Sequence, residues 1–259
     1  MIARPSDPTI AQIREVSQPV SVTGRSNAEH WVADLYLRRI SPYLTRLLLK
    51  TPITANGVTY LMITTGISIS VALLIPGNLG LVLALVFSQL QMLWDCCDGE
   101  IARWRQTQSP KGIFLDRLGH YFAEGLIPIA LALRLNNWPN SKIDDYKILF
   151  LASLISSLII FNKACNDSVH AARALSGLSK LDDSKEVGKP RFVLLTLLST
   201  PFRIFAVQRL FHSVEMTIVI FIFSAQESLI QVGLYLAFFI TLGHIMMILN
   251  SRKLVEDSK

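Results

Sequence analysis

The sequence predicts an all-α polytopic membrane protein, with six transmembrane helices preceded by an amphipathic surface helix. Three observations predict it. Of 259 residues, 51% are hydrophobic and only 17% charged, against about 25% charged in a soluble domain, and the mean hydropathy is +0.42. The apolar residues fall in runs of about 20, the length that crosses a bilayer. The links between runs alternate in charge. Segments 24–50, 103–111, 173–203 and the tail after Asn250 are rich in Lys and Arg; 76–79 and 224–227 have none, and 136–146 has only Lys142. That sorting places both termini and the basic links on the cytoplasmic side. It also accounts for the net charge of +6 without nucleic acid as a partner. A disordered chain is excluded, and an ordinary soluble enzyme is disfavoured.

The elements follow in order. Residues 1–25 are polar, contain three prolines and read as a disordered tail. MIARPSDPTI has no apolar core, so no cleavable signal peptide is expected. Ser26 and Glu29 form a capping-box pattern. From there to residue 50, Trp31, Val32, Leu35, Tyr36, Ile40, Tyr43, Leu44, Leu47 and Leu48 recur at helical spacing. This predicts an amphipathic helix on the membrane surface, bent near Pro42. The transmembrane domain, 51–250, has spans placed near 56–76, 79–103, 112–135, 147–173, 203–224 and 227–250, and 251–259 is a cytoplasmic tail. The polar link 176–191 is the expected mobile segment. Cys96, Cys97 and Cys165 lie in apolar runs without disulfide spacing, and the adjacent pair reads as small apolar filler.

The informative stretch is 94–120, WDCCDGEIARWRQTQSPKGIFLDRLGH. Asp95 and Asp98 lie three apart on one helical face, and Asp116 and His120 lie four apart at the start of the next helix. Folding the two helices antiparallel about their short link pairs Asp98 with Asp116 and Asp95 with His120, in two layers one turn apart. Three carboxylates at that depth repel and are poorly solvated unless a cation joins them. An all-oxygen set favours a hard divalent ion, Mg²⁺ or Mn²⁺, and such an ion binds phosphate oxygens, which points to a diphosphate substrate. The alternative is a set of unrelated acids snorkelling at helix ends; three in register argue against it. Gly99 and Gly112 flank the carboxylates and Ala102 keeps the face open, so a nucleotide could approach the backbone, and Arg103 supplies a cation for phosphates. Glu100 is expected to be solvated.

The segment resembles the signature of the CDP-alcohol phosphotransferases (CDP-alcohol phosphatidyltransferases). Asp95, Asp98, Gly99, Ala102, Arg103, Gly112 and Asp116 match it at the correct spacing, and Asn56 and Thr59 resemble the Asn-x-x-Thr that opens the first span in that family. The resemblance extends over 26–250. It implies transfer of a substituted phosphate from a CDP-linked donor to an alcohol hydroxyl, with release of CMP. It further implies that Asp95, Asp98 and Asp116 hold the metal, that Asn56, Thr59, Gly99, Ala102, Arg103 and Gly112 face the nucleotide, and that the chain pairs as a homodimer. The donor is CDP-diacylglycerol or a smaller CDP-alcohol, and the acceptor an alcohol or sugar phosphate.

The last Asp of that signature is His120 here. Three readings stand: His120 is the base that deprotonates the attacking hydroxyl, it ligates metal or orients another group, or transfer is lost and a silent binding protein remains. An intramembrane prenyl-diphosphate transferase is a rival, ranked lower because the motif is single and compact. A transporter is weaker still, since no inverted repeat is visible. In the fourth span Asn162, Lys163, Asn166, Asp167, His170 and Arg173 serve either an acceptor site or interhelical hydrogen bonding with snorkelling. Lys189, Arg191, Arg203 and Arg209 serve either an anionic acceptor or lipid headgroups. His212 and Glu215 are expected to pair.

Overall fold

The computed structural model describes residues 4–23, 36–140, 146–178 and 228–250. Among them every regular element is helical: α1 Ile10–Ser17, α2 Val20–Thr23, α3 Arg38–Leu49, α4 Ala55–Leu73, α5 Gly77–Arg105, α6 Pro110–Leu135, α7 Tyr146–Leu175 and α8 Ser228–Asn250. Three of these, α4, α5 and α7, are long and apolar enough to cross a membrane by length and composition, and α6 and α8 run to 26 and 23 residues. The expected span 203–224 lies outside the described residues, as do 24–35, the link beyond 178 that was expected to be mobile, and the tail 251–259. The chain divides into two compact units, Met1–Ala123 and Glu124–Lys259, with the division falling inside α6.

Local signals set the helix ends of the first unit. Thr54 caps α4, its hydroxyl accepting from the Gly57 N–H at 3.0 Å. Ser109 does the same for α6, accepting from the Gly112 N–H at 3.1 Å, and Pro110 occupies the first helical position, where its missing N–H costs nothing. Between them α5 ends on Gln106 in the left-handed conformation, φ 57°, and the Thr107 N–H returns to the Ala102 carbonyl at 2.9 Å. That tight exit reverses the chain within four residues and makes α5 and α6 an antiparallel hairpin. Helix α4 packs along α5. It also approaches α6 so closely that a Cβ on Gly119 would fall 2.7 Å from the Met62 thioether and one on Gly66 2.9 Å from the Ala123 Cβ. Small residues at such crossings let backbones approach where lipid supplies no hydrophobic drive.

The N-terminal residues correct an expectation. Residues 4–23, read as part of a disordered tail, fold and dock. Thr9 and Gln12 form a reciprocal capping box at the start of α1, and Ile13, fully buried, joins Leu49, Ala55, Val58, Cys97, Ile101 and Trp104 in one apolar cluster. The prolines that suggested disorder precede and follow α1 rather than interrupt it. Helix α3 turns Ser41, Pro42, Thr45 and Leu49 inward and leaves Ile40, Tyr43 and Leu47 exposed beside Arg39 and Arg46. An apolar outer side edged by basic residues suits the bilayer interface. Pro42 lies within a continuous helix.

In the second unit α7 and α8 pack together. Ala237, Ile240, Thr241 and Ile248 form the buried side of α8, and the Thr241 hydroxyl donates to the Leu158 carbonyl at 3.3 Å. Tyr235, Phe238, Phe239, Leu242, Met246 and Leu249 are exposed, as expected for a helix whose outer surface is lipid.

Candidate metal centre

The α5–α6 hairpin brings the signature residues to one place. His120 Nε2 lies 3.2 Å from Asp95 Oδ1 and 3.7 Å from Asp116 Oδ1. Among the described residues, Asp95, Asp116 and His120 offer ligand atoms that all lie within 4.8 Å of one another. A Mg²⁺ octahedron with bonds of about 2.1 Å separates its ligand atoms by about 3.0–4.2 Å; the 3.2 and 3.7 Å separations from His120 fall in that range, and the set could hold a divalent ion. The three groups that come together this closely are two carboxylates and an imidazole; Asp98, the third carboxylate of the expected set, is not among them. All three side chains retain some exposure, Asp116 the most at 42%, so the cluster is open to a ligand.

Asp98 is placed differently. It is 9% exposed, and its Oδ2 accepts from the Thr59 hydroxyl at 2.7 Å. That hydroxyl in turn sits 3.1 Å from the Ala55 carbonyl. Thr59, expected to face a nucleotide, thus fixes the second motif carboxylate from α4. Asn56, one turn earlier, stands at Gly112, where a Cβ would lie 3.2 Å from its Oδ1. The glycine therefore admits Asn56 to the start of α6.

Gly99 has a similar tenant. A Cβ there would lie 3.0 and 3.1 Å from Nη1 and Nη2 of Arg103, so the guanidinium lies across the glycine. Arg103 Nε donates to the Ser17 carbonyl at 2.7 Å. The room that Gly99 opens is used first by the chain's own cation. Ala102 is half-buried beside it.

Glu100 overturns its expectation. It is fully buried, accepting from Ser41 and Thr45 hydroxyls at 2.6 Å each and from Gln18 Nε2 at 2.8 Å. Two residues beyond Asp98 means about 200° around the helix, so Glu100 points away from the metal cluster into α3. The Ser41–Thr45 pair, four apart in the amphipathic segment, was the available signal. Cys96 and Cys97 are buried and free, as filler residues should be.

Elsewhere, Lys163 Nζ pairs with Glu124 Oε2 at 2.9 Å, and Glu124 is 1% exposed. The sequence reading missed Glu124, although Asp116, His120 and Glu124 form a four-residue progression along α6. Asn166 is exposed on α7, and Arg173, considered for snorkelling, is buried instead. Lys189, Arg191, Arg203, Arg209, His212 and Glu215 lie outside the described residues.

No match is found among curated proteins. A family profile, CDP-alcohol phosphatidyltransferase, matches residues 52–250, a stretch that includes both helices of the hairpin, the three motif carboxylates and His120. With three-quarters of its length matched and its signature side chains gathered on α5 and α6, the chain belongs to the CDP-alcohol phosphatidyltransferase family.

Proposed function

We propose that this integral membrane protein transfers a substituted phosphate from a CDP-linked donor to an alcohol hydroxyl and releases CMP, in the synthesis of a phospholipid or related lipid. The observation that carries the reading is the convergence of Asp95, Asp116 and His120 within 4.8 Å inside the family-matched region. Asp95 and Asp116, with Asp98 one turn along α5, would hold the divalent ion, Mg²⁺ or Mn²⁺. When bound, that ion neutralises charge on the diphosphate and on the departing CMP.

The remaining work falls to side chains. The acceptor oxygen attacks the phosphorus that bears the donor's substituent, and the diphosphate P–O bond to CMP breaks. The hydroxyl proton passes to Nε2 of a neutral His120. Asp95 Oδ1 at 3.2 Å and Asp116 Oδ1 at 3.7 Å stabilise the imidazolium that forms. Arg103 offers charge to the diphosphate beside Gly99, and Asn56, Gly112 and Ala102 shape the nucleotide's approach. Thr59 keeps the Asp98 carboxylate oriented. Lys163 and Asn166, with Arg203 and Arg209, are the residues we assign to acceptor binding. The Lys- and Arg-rich links support a cytoplasmic location for this site. CDP-diacylglycerol, with its acyl chains in the bilayer, and a smaller CDP-alcohol paired with a lipid acceptor both satisfy this chemistry.

A second reading has a specific observation behind it. The same 4.8 Å cluster allows His120 Nε2 to ligate the metal directly. The testing experiment is CMP release by purified protein with Mg²⁺, crossing several CDP donors with alcohols and sugar phosphates. Donor-dependent CMP release that EDTA abolishes and Asp98→Asn lacks supports the proposal. Full activity in Asp98→Asn overturns the metal assignment, and no release with any pair supports a silent binding protein.

A further inference from the structure

The most densely bonded feature not used above joins the N-terminal segment to the motif helix. The family-matched region begins at residue 52, so α1 and α3 lie outside it. Arg103 is nonetheless held from there. Its Nε donates to the carbonyl of Ser17, the last residue of α1, at 2.7 Å, where the helix end carries partial negative charge and favours a cation. The Ser17 hydroxyl donates to the Glu100 carbonyl at 3.1 Å, and Gln18 Nε2 reaches Glu100 Oε1 at 2.8 Å. Arg4 Nη1 donates to the carbonyls of Arg103 and Trp104 at 2.6 and 2.7 Å and lies over the Trp104 ring. Ile13 and Ser17 are fully buried against this end of α5.

We propose that residues 4–18 are a positioning strap for the donor site, fixing the Arg103 guanidinium across Gly99 so that its charge is preset beside the motif carboxylates. The proposal rests on the reading of Arg103 as a diphosphate-binding cation. An arginine loses several rotatable bonds' worth of freedom when it is held in one place. The strap meets that cost on folding, so the nucleotide does not meet it on binding. Nothing in the motif itself can do this, because the Ser17 carbonyl comes from 86 residues away in the chain.

The test measures binding of CDP, in the presence of Mg²⁺, to the full-length protein in detergent micelles, and in parallel the affinity for Mn²⁺ by electron paramagnetic resonance. The variants are Ile13→Glu, which undocks α1, Ile13→Val, Arg103→Ala, and the Ile13→Glu/Arg103→Ala pair. Ile13→Glu and Arg103→Ala are each expected to weaken CDP binding about tenfold, and the double variant by no more than either alone, since both remove the same placed cation. Ile13→Val retains wild-type affinity, and Mn²⁺ affinity stays within about threefold throughout, which separates positioning from general unfolding. Weakened binding in Arg103→Ala but not in Ile13→Glu overturns the strap and leaves the donor site standing, as does strict additivity in the double variant. Unchanged binding in Arg103→Ala overturns the donor-site role of Arg103 and the strap with it. Should Ile13→Glu not fold, Gln18→Ala combined with Arg4→Ala replaces it, with the same expected outcomes.

Discussion

Replacing His120 with Ala tests the proposed base directly. The side chain removed sits 3.2 Å from Asp95 Oδ1 and 3.7 Å from Asp116 Oδ1. If Nε2 takes the acceptor's proton, the loss is that of a general base, about 10²–10⁴-fold in kcat, or about 2.7–5.4 kcal/mol of transition-state stabilisation at about 1.36 kcal/mol per tenfold. Asp95 and Asp116 keep their oxygens, so the Mn²⁺ dissociation constant measured by electron paramagnetic resonance should move by less than about threefold, a shift of about 0.6 kcal/mol. His120→Asp, which restores a carboxylate base at the same helical position, should recover most of the turnover. The assay is CMP release at saturating donor, run beside the metal titration on the same preparations. Undiminished turnover in His120→Ala would refute the base assignment. A fall of about 100-fold or more in Mn²⁺ affinity, accompanied by a kcat that recovers at high metal, would show instead that Nε2 is a ligand.

Three other outcomes follow from the packing. Glu100→Ala strips the acceptor from Ser41, Thr45 and Gln18 at once and should lower stability in a denaturant titration by about 1–3 kcal/mol for each donor left unsatisfied; Glu100→Gln, which keeps one carbonyl oxygen, should lose less than half of the total. Thr59→Val removes the 2.7 Å donor to Asp98 and should cost about 1.5–3 kcal/mol while Thr59→Ser stays near wild type, and equal behaviour of the two variants would refute the bond's importance. The Arg46 and Lys50 cations beside Asp7, Arg46 first, hold its carboxyl below the ordinary 3.8. A depressed folded value means the tie is present above the ordinary value and lost only as pH falls through the lowered one. The protection factors of the α1 amides, which remove the intrinsic pH dependence of exchange, should therefore be constant from neutral pH to about 4 and fall below it, and Asp7→Asn should lower them at neutral pH.

Much of the membrane architecture was legible because lipid imposes one requirement on every span: length in apolar residues. Expected spans 56–76, 79–103, 112–135, 147–173 and 227–250 correspond to α4, α5, α6, α7 and α8 to within a few residues. The pairing of Asp95 with His120 was also readable, since a short link and helical periodicity together fix the register of an antiparallel hairpin. Direction around a helix was harder to use. Glu100 was read as solvated because it is charged and near a helix end, whereas its position about 200° from Asp98 pointed it at α3.

The sequence by itself determined the class of protein and the helix on which each described motif residue lies, because bilayer thickness and the 3.6-residue turn act locally along the chain. Only the tertiary structure decided which partner each polar group has. Thr59 holds Asp98 from α4, Ser17 holds Arg103 from α1, and Glu124 meets Lys163. Each of these joins residues between 39 and 86 positions apart. A buried charge is stable only with a partner at hydrogen-bond distance, and which residue stands there depends on how separate helices cross, a property no single stretch of sequence contains.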